Sequence, residues 1–141
     1  SNSNIKRKFK AEIIRSGYSQ VNIMGIVACR AAYSGGHEWL KELKEYISGN
    51  LEYIRSFLKD RLPQIKLIEP QGTYLVWLDF SALGLDDKEL DDLIVYKAGL
   101  WLDAGTMFGA GGEGFQRINI ACPRSTLEKA LSQIEQAVNQ L

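Results

Sequence analysis

Residues 63–80 read PQIKLIEPQGTYLVWLDF, and here the period of the apolar residues changes. After Pro63 come two runs rich in β-branched and aromatic residues, IKLIEP and TYLVWLDF, joined through Pro70-Gln71-Gly72. Short runs of that composition bounded by turn residues predict two strands. Before Pro63 the spacing is that of a helix. Leu40, Leu43, Ile47, Leu51, Ile54 and Leu58 step by three and four, with Lys41, Lys44, Glu45, Glu52, Arg55 and Lys59 on other faces. This predicts one long helix over residues 37–62, with Gly49 and Asn50 as a place where it could bend. At 1.5 Å per residue it would run about 38 Å, longer than a compact domain of this size is wide, so it reads as a spine joining two bodies.

Further upstream, Ile5, Phe9 and Ile13 mark one face of a short helix that stops at Gly17. A second helix is expected from about residue 20 to Tyr33, with Ser19 as its cap. Its sequence, VNIMGIVACRAAY, is apolar nearly all round, which predicts burial on several sides. Downstream, Asp86 or Asp87 opens a helix, DKELDDLIVYKA, that Gly99 closes. LWLDA is a short strand, a glycine-rich loop follows, and FQRINIA is a further strand, mostly buried, that ends at Pro123. Ser125 and Glu128 form an S-x-x-E capping box for the last helix, whose stripe is Leu127, Leu131, Ile134, Val138 and Leu141. From residue 40 the order α-β-β-α-β-β-α describes an α+β fold, an α/β sandwich of a small sheet with helices packed on one face.

Composition narrows the function classes. The 17 basic and 17 acidic residues among 141 leave no net field that would favour nucleic acid or an anionic membrane. The run KRKFK at 6–10 lacks interleaved aromatics and reads as a solvated helix face. No stretch reaches the roughly 18 apolar residues of a membrane helix. The polar, basic start is unlike a secretory signal, and a cytoplasmic protein is expected. Cys29 and Cys122, both in apolar surroundings, read as buried free thiols. With His37 as the single histidine, no metal site is expected.

Two features carry candidate chemistry. Gly109, Gly111 and Gly114 spell G-x-G-x-x-G, but a dinucleotide site needs that string to open a helix, and here a strand follows. Its glycines are expected to permit close approach to a ligand or to another chain. Arg117 stands inside the apolar run of residues 114–124, and a guanidinium cannot shed its charge. Three readings are open: a pair with Asp79 or Asp103, exposure at a sheet edge, or a two-pronged grip on a ligand carboxylate. Arg124 is expected on the surface or as a cap, Asp79 and Asp103 as turn or cap residues, and Trp39, Trp77 and Trp101 in the core. Tyr33 is left between core and cleft.

The stretches AAYSGGHEWLKELKEYISGN, EPQGTYLVWLDFSALGL and AGLWLDAGTMFGAGGEGFQRINIACPR, with the last helix, resemble the C-terminal part of fold-type I, pyridoxal-phosphate-dependent class I/II aminotransferases. Within that family they are most similar to the cystathionine β-lyase (C–S lyase) branch. The resemblance implies that residues 1–36 end a large cofactor domain, 37–62 connect it, and 63–141 form the small α/β domain. It implies Arg117 as the holder of a substrate α-carboxylate, with Phe108, Gly109 and Tyr33 as candidate cleft residues. The implied substrate is an amino acid such as cystathionine or cysteine, and the implied parent enzyme is a homodimer that uses pyridoxal phosphate. The lysines, at 6, 8, 10, 41, 44, 59, 66, 88, 97 and 129, all lack the Ser-rich motif that carries the family's Schiff-base lysine. The chain is therefore expected to be a C-terminal fragment, inactive and without cofactor by itself. The rival expectation is a free-standing, non-catalytic α+β module that binds a small carboxylate or a protein partner.

Overall fold

Local sequence accounts for most element boundaries in the computed structural model, which describes residues 2–17 and 21–141. Its contacts divide the chain into two units, residues 1–42 and 43–141, and the division falls inside the third helix.

In the first unit, α1 (Ser3–Arg15) starts on Asn2, whose side chain accepts from the amides of Asn4 and Ile5. The second helix, α2 (Ile23–Gly35), starts on Asn22, whose side chain accepts from Gly25 N–H. That is later than the expected start, and Ser19, the expected cap, lies outside the described residues. The expected burial of α2 is not found. Neither helix holds a buried residue, and Ile23, Met24, Ile26 and Val27 are all exposed. A unit this small is below the size at which a chain closes a core of its own.

The long helix α3 (His37–Arg61) runs unbroken through Gly49 and Asn50. In the second unit its stripe is buried at Asn50, Ile54, Phe57 and Leu58. Beyond it lie β1 (Lys66–Ile68), β2 (Leu75–Asp79), α4 (Asp87–Asp92), β3 (Asp103–Ala104), β4 (Phe115–Asn119) and α5 (Arg124–Val138). The four strands form one antiparallel sheet in the order β1-β2-β4-β3, so the expected α-β-β-α-β-β-α succession stands.

Strand residues alternate between the two faces of a sheet. Val76, Leu78 and Phe80 along β2, with Gln116, Ile118 and Ile120 along β4, are buried. They share one core with Ile54 and Leu58 of α3, Leu90 and Leu93, and Leu127, Leu131 and Ile134 of α5. The other face carries Trp77 on β2 with Phe115 and Arg117 on β4. This corrects the expectation that Arg117 stands in the strand's interior. The buried polar residue of β4 is its neighbour Gln116, 2% exposed, whose Nε2 donates to Asp91 Oδ1 at 2.8 Å. Ala121, expected in the buried run, is exposed.

Other expectations also shift. Asp86 and Glu89 form a capping box at α4, with both bonds made. A wide turn over Leu93–Lys97 follows, closed by Ala98 N–H to Leu93 O at 2.8 Å, and Gly99 ends it at φ 66°. The capping box expected at Ser125 and Glu128 does not form. Pro123 takes the N-cap position with no side-chain bond, and the Arg124 amide instead donates to the Tyr46 hydroxyl at 2.7 Å. Leu141 is exposed beyond the buried stripe. None of the tryptophans is buried; Trp39 and Trp101 are exposed and Trp77 is half-buried. Both thiols are free, but Cys29 is exposed and Cys122 only half-buried, so the expected burial holds for neither. No described helix is long and apolar enough to cross a membrane, and no cluster of metal-ligating side chains occurs among the described residues.

Candidate functional site

Register builds the site. Trp77 on β2 and Asp103 on β3 lie directly opposite Arg117 on β4. Residues paired in this way put their side chains on the same face. Asp103 therefore meets Arg117 on the sheet face away from the core. Arg117 Nε and Nη2 both donate to one oxygen, Asp103 Oδ2, at 3.1 and 2.7 Å. The guanidinium carbon lies 4.4 Å from the ring centre of Phe108 and 5.9 Å from that of Trp77. The Phe108 ring meets Trp77 edge-on at 5.2 Å, and Phe115 flanks Trp77 from 6.5 Å. Such an aromatic bed favours a cation over its faces.

Of the three readings of Arg117, the sheet-edge one fails, because β4 lies between β2 and β3. The internal partner is Asp103 and not Asp79. Asp79 instead accepts from the Ser81 amide at 2.9 Å, and its bonds to Ser81 hold its carboxyl below the usual aspartate range. The ion pair leaves the site open. The Arg117 side chain is 24% exposed and that of Asp103 41%. Among the described residues Nη1 of Arg117 has no hydrogen-bond partner. Arg117 and Asp103 line a groove of about 320 Å³ with Trp101, Asn119, Cys122 and Thr126.

Phe108 reaches the guanidinium from a 3₁₀ turn over Gly105–Phe108, and Gly109 lines a second recess with Trp77 and Phe115. The expected close approach is not found at Gly109 or Gly111, which face open space at positive φ, and at Gly114 the neighbour is Ser81. The tight approach in this loop is between two other glycines. A methyl group on Gly105 would collide with the carbonyl of Gly112, and one on Gly112 with that of Gly105. Tyr33 is 91% exposed and lies in the first unit, beside Ala32, Gly36 and Trp39.

Sequence reasoning missed a second polar cluster. Asn50, fully buried, donates through Nδ2 to the carbonyls of Ile120 and Cys122 at 2.8 and 3.0 Å. Its Oδ1 accepts from Arg124 Nε at 2.8 Å, and the Arg124 guanidinium stacks 4.9 Å from the Tyr53 ring centre. Arg124 is thus half-buried rather than a free surface residue, and its side chain makes no cap. The signal was Asn50's place in the α3 stripe, three residues after Ile47 and four before Ile54.

No protein-family model matches the chain. Cystathionine beta-lyase PatB of Bacillus subtilis (strain 168) is 42% identical over 134 residues, which is 95% of this chain and 35% of that protein. The chain is homologous to the cystathionine β-lyases. The aspartate aminotransferase of Pyrococcus horikoshii is 32% identical over 93% of the chain and 33% of its own length. The crystal structure of cystalysin from Treponema denticola, which contains pyridoxal 5′-phosphate, superposes with a TM-score of 0.88 at 33% identity. That match covers 99% of this chain and 36% of cystalysin. The α+β fold is thus that of the C-terminal domain of fold-type I pyridoxal-phosphate enzymes. The chain spans about a third of the length of the curated relatives it matches. The residues lining the Arg117 groove do not suit the cofactor. They include no lysine to form a Schiff base and no second cation for a phosphate.

Proposed function

We propose that this chain is the carboxylate-binding part of a pyridoxal-phosphate-dependent enzyme that acts on amino acids. The reaction is β-elimination at a C–S bond, as for cystathionine or cysteine; transamination is the neighbouring alternative. The observation that carries the reading is Arg117 itself. Its guanidinium stands on the open sheet face beside a groove, bedded on Phe108, with Nη1 uncommitted among the described residues. A guanidinium edge fixes the plane of a carboxylate as well as its position, which a lysine ammonium cannot do.

In this reading, Arg117 receives the α-carboxylate and sets the orientation of the bond that breaks. Phe108 screens one face of the guanidinium from water. Pyridoxal phosphate, when bound in such an enzyme, supplies the electron sink for a departing α-proton. Residues 1–36 belong with the cofactor-binding part, 37–62 connect it, and 63–141 are the small domain. The parent enzyme is a cytoplasmic homodimer, and these 141 residues alone have no lyase or transaminase activity.

The test is a product assay on the protein at the length of its relatives. Pyruvate from cystathionine is expected, without exchange of amino groups onto a keto acid. Exchange without pyruvate would move the assignment to transamination, and neither product would overturn it. The Arg117–Asp103 pair favours a second reading, a non-catalytic module in which the arginine only ties β4 to β3. Stoichiometric lyase activity at full length would dispose of that reading.

A further inference from the structure

Asp103 is an acid set against the very cation expected to receive an acid. Both Nε and Nη2 of Arg117 converge on Asp103 Oδ2, at 3.1 and 2.7 Å. One edge of the guanidinium is therefore taken, while Phe108 covers a face at 4.4 Å. The remaining side, around Nη1, has no partner among the described residues. Two roles follow for Asp103. As a competitor, it would have to leave before a ligand carboxylate could bind. As a support, it would stay and keep the guanidinium in place.

The backbone favours the support. Asp103 is paired directly across the ladder from Arg117, and Ala104 beside it is paired with Gln116. That pairing fixes the Asp103 backbone opposite Arg117 and starts its short carboxylate within reach of the guanidinium. Only one of its two oxygens is engaged, so the pair does not consume the whole fork of donors. An unrestrained arginine would also lose rotamer freedom on each binding event, a cost that a fixed one has already met in folding.

We propose that Asp103 is the positioning residue of the carboxylate site, holding Arg117 by its Nε edge so that a ligand carboxylate meets the Nη1 side. This rests on Arg117 being the receiver.

The test is side-chain NMR of the chain, following the Arg117 Nε–Hε signal (assigned by its loss in R117K) during titration with acetate. In D103N the amide oxygen still accepts, so the signal and the acetate affinity should stay within about threefold of the wild type. D103A should let the guanidinium rotate, broaden the Hε signal, and weaken acetate binding about tenfold at unchanged Tm. D103S, too short to make the same bond, should follow D103A. Tighter binding in D103A and D103S would make Asp103 a competitor and overturn the proposal. An unchanged Hε signal and affinity in those variants would overturn it as well. Failure of the Arg117 reading looks different. There, the wild-type signal ignores acetate, or R117K binds acetate as the wild type does, and the role of Asp103 falls with it.

Discussion

Asn50 gives both of its amide donors to the chain just beyond β4, at Ile120 and Cys122, and its acceptor to Arg124. Asn50→Ala would leave two carbonyls and a half-buried guanidinium without their partner. It should cost about 2–4 kcal/mol, read as a drop in urea midpoint at constant slope. Asn50→Asp would keep the shape and turn one carboxylate oxygen onto those carbonyls while the other meets the Arg124 guanidinium, so the two contacts push its pKa in opposite directions. For Asp79 the sign is fixed. Ser81 holds its carboxyl low, so its contribution is present above the unfolded pKa and lost as pH falls through the folded one. Tm against pH for Asp79→Asn should decline less steeply at the acid end than for the wild type. At this scale the sequence showed that Arg117 needed a partner, because a fixed charge among apolar residues is conspicuous. It did not say which, because the choice between Asp79 and Asp103 is set by strand register.

Elements were legible where periodicity is long. The α3 stripe, the two runs after Pro63 and the stripe of α5 each follow one burial pattern over several turns or a full strand. The short pieces were less so. LWLDA shrank to a two-residue β3, because Trp101 and Leu102 make no ladder pairs. The Ser125–Glu128 motif lost to Pro123 and to the Tyr46 hydroxyl, a contact from a residue far away in sequence. The loop between β3 and β4 kept its glycines for a reason that no string search reveals, the face-to-face approach of Gly105 and Gly112. Gly112→Ala would force these backbones apart and displace Phe108 from Arg117. The expected loss is roughly 1–3 kcal/mol of stability. In thermal melts that show the Gly112→Ala loss as a lowered Tm, Gly72→Ala, where the added methyl meets nothing, should be near neutral.

For the whole molecule, the two units differ in what they bury. The second, residues 43–141, encloses a core from three helices, the turn after α4 and one sheet face. The first, residues 1–42, exposes Phe9, Ile23, Met24, Ile26 and Val27. Apolar surface of that extent favours association. Sedimentation of this chain should show a weight-average mass rising with concentration, and a monomer at every concentration would contradict it. Composition alone could not locate this surface, since an apolar helix reads the same whether its cover is present or not. The central claim, that Arg117 receives an amino acid's carboxylate, is tested most directly by kcat/KM of Arg117→Ala at the length of the relatives. A loss of roughly 30- to 1000-fold is predicted with Tm little changed, and Arg117→Lys should recover only part of it. Wild-type kcat/KM in Arg117→Ala would contradict the account.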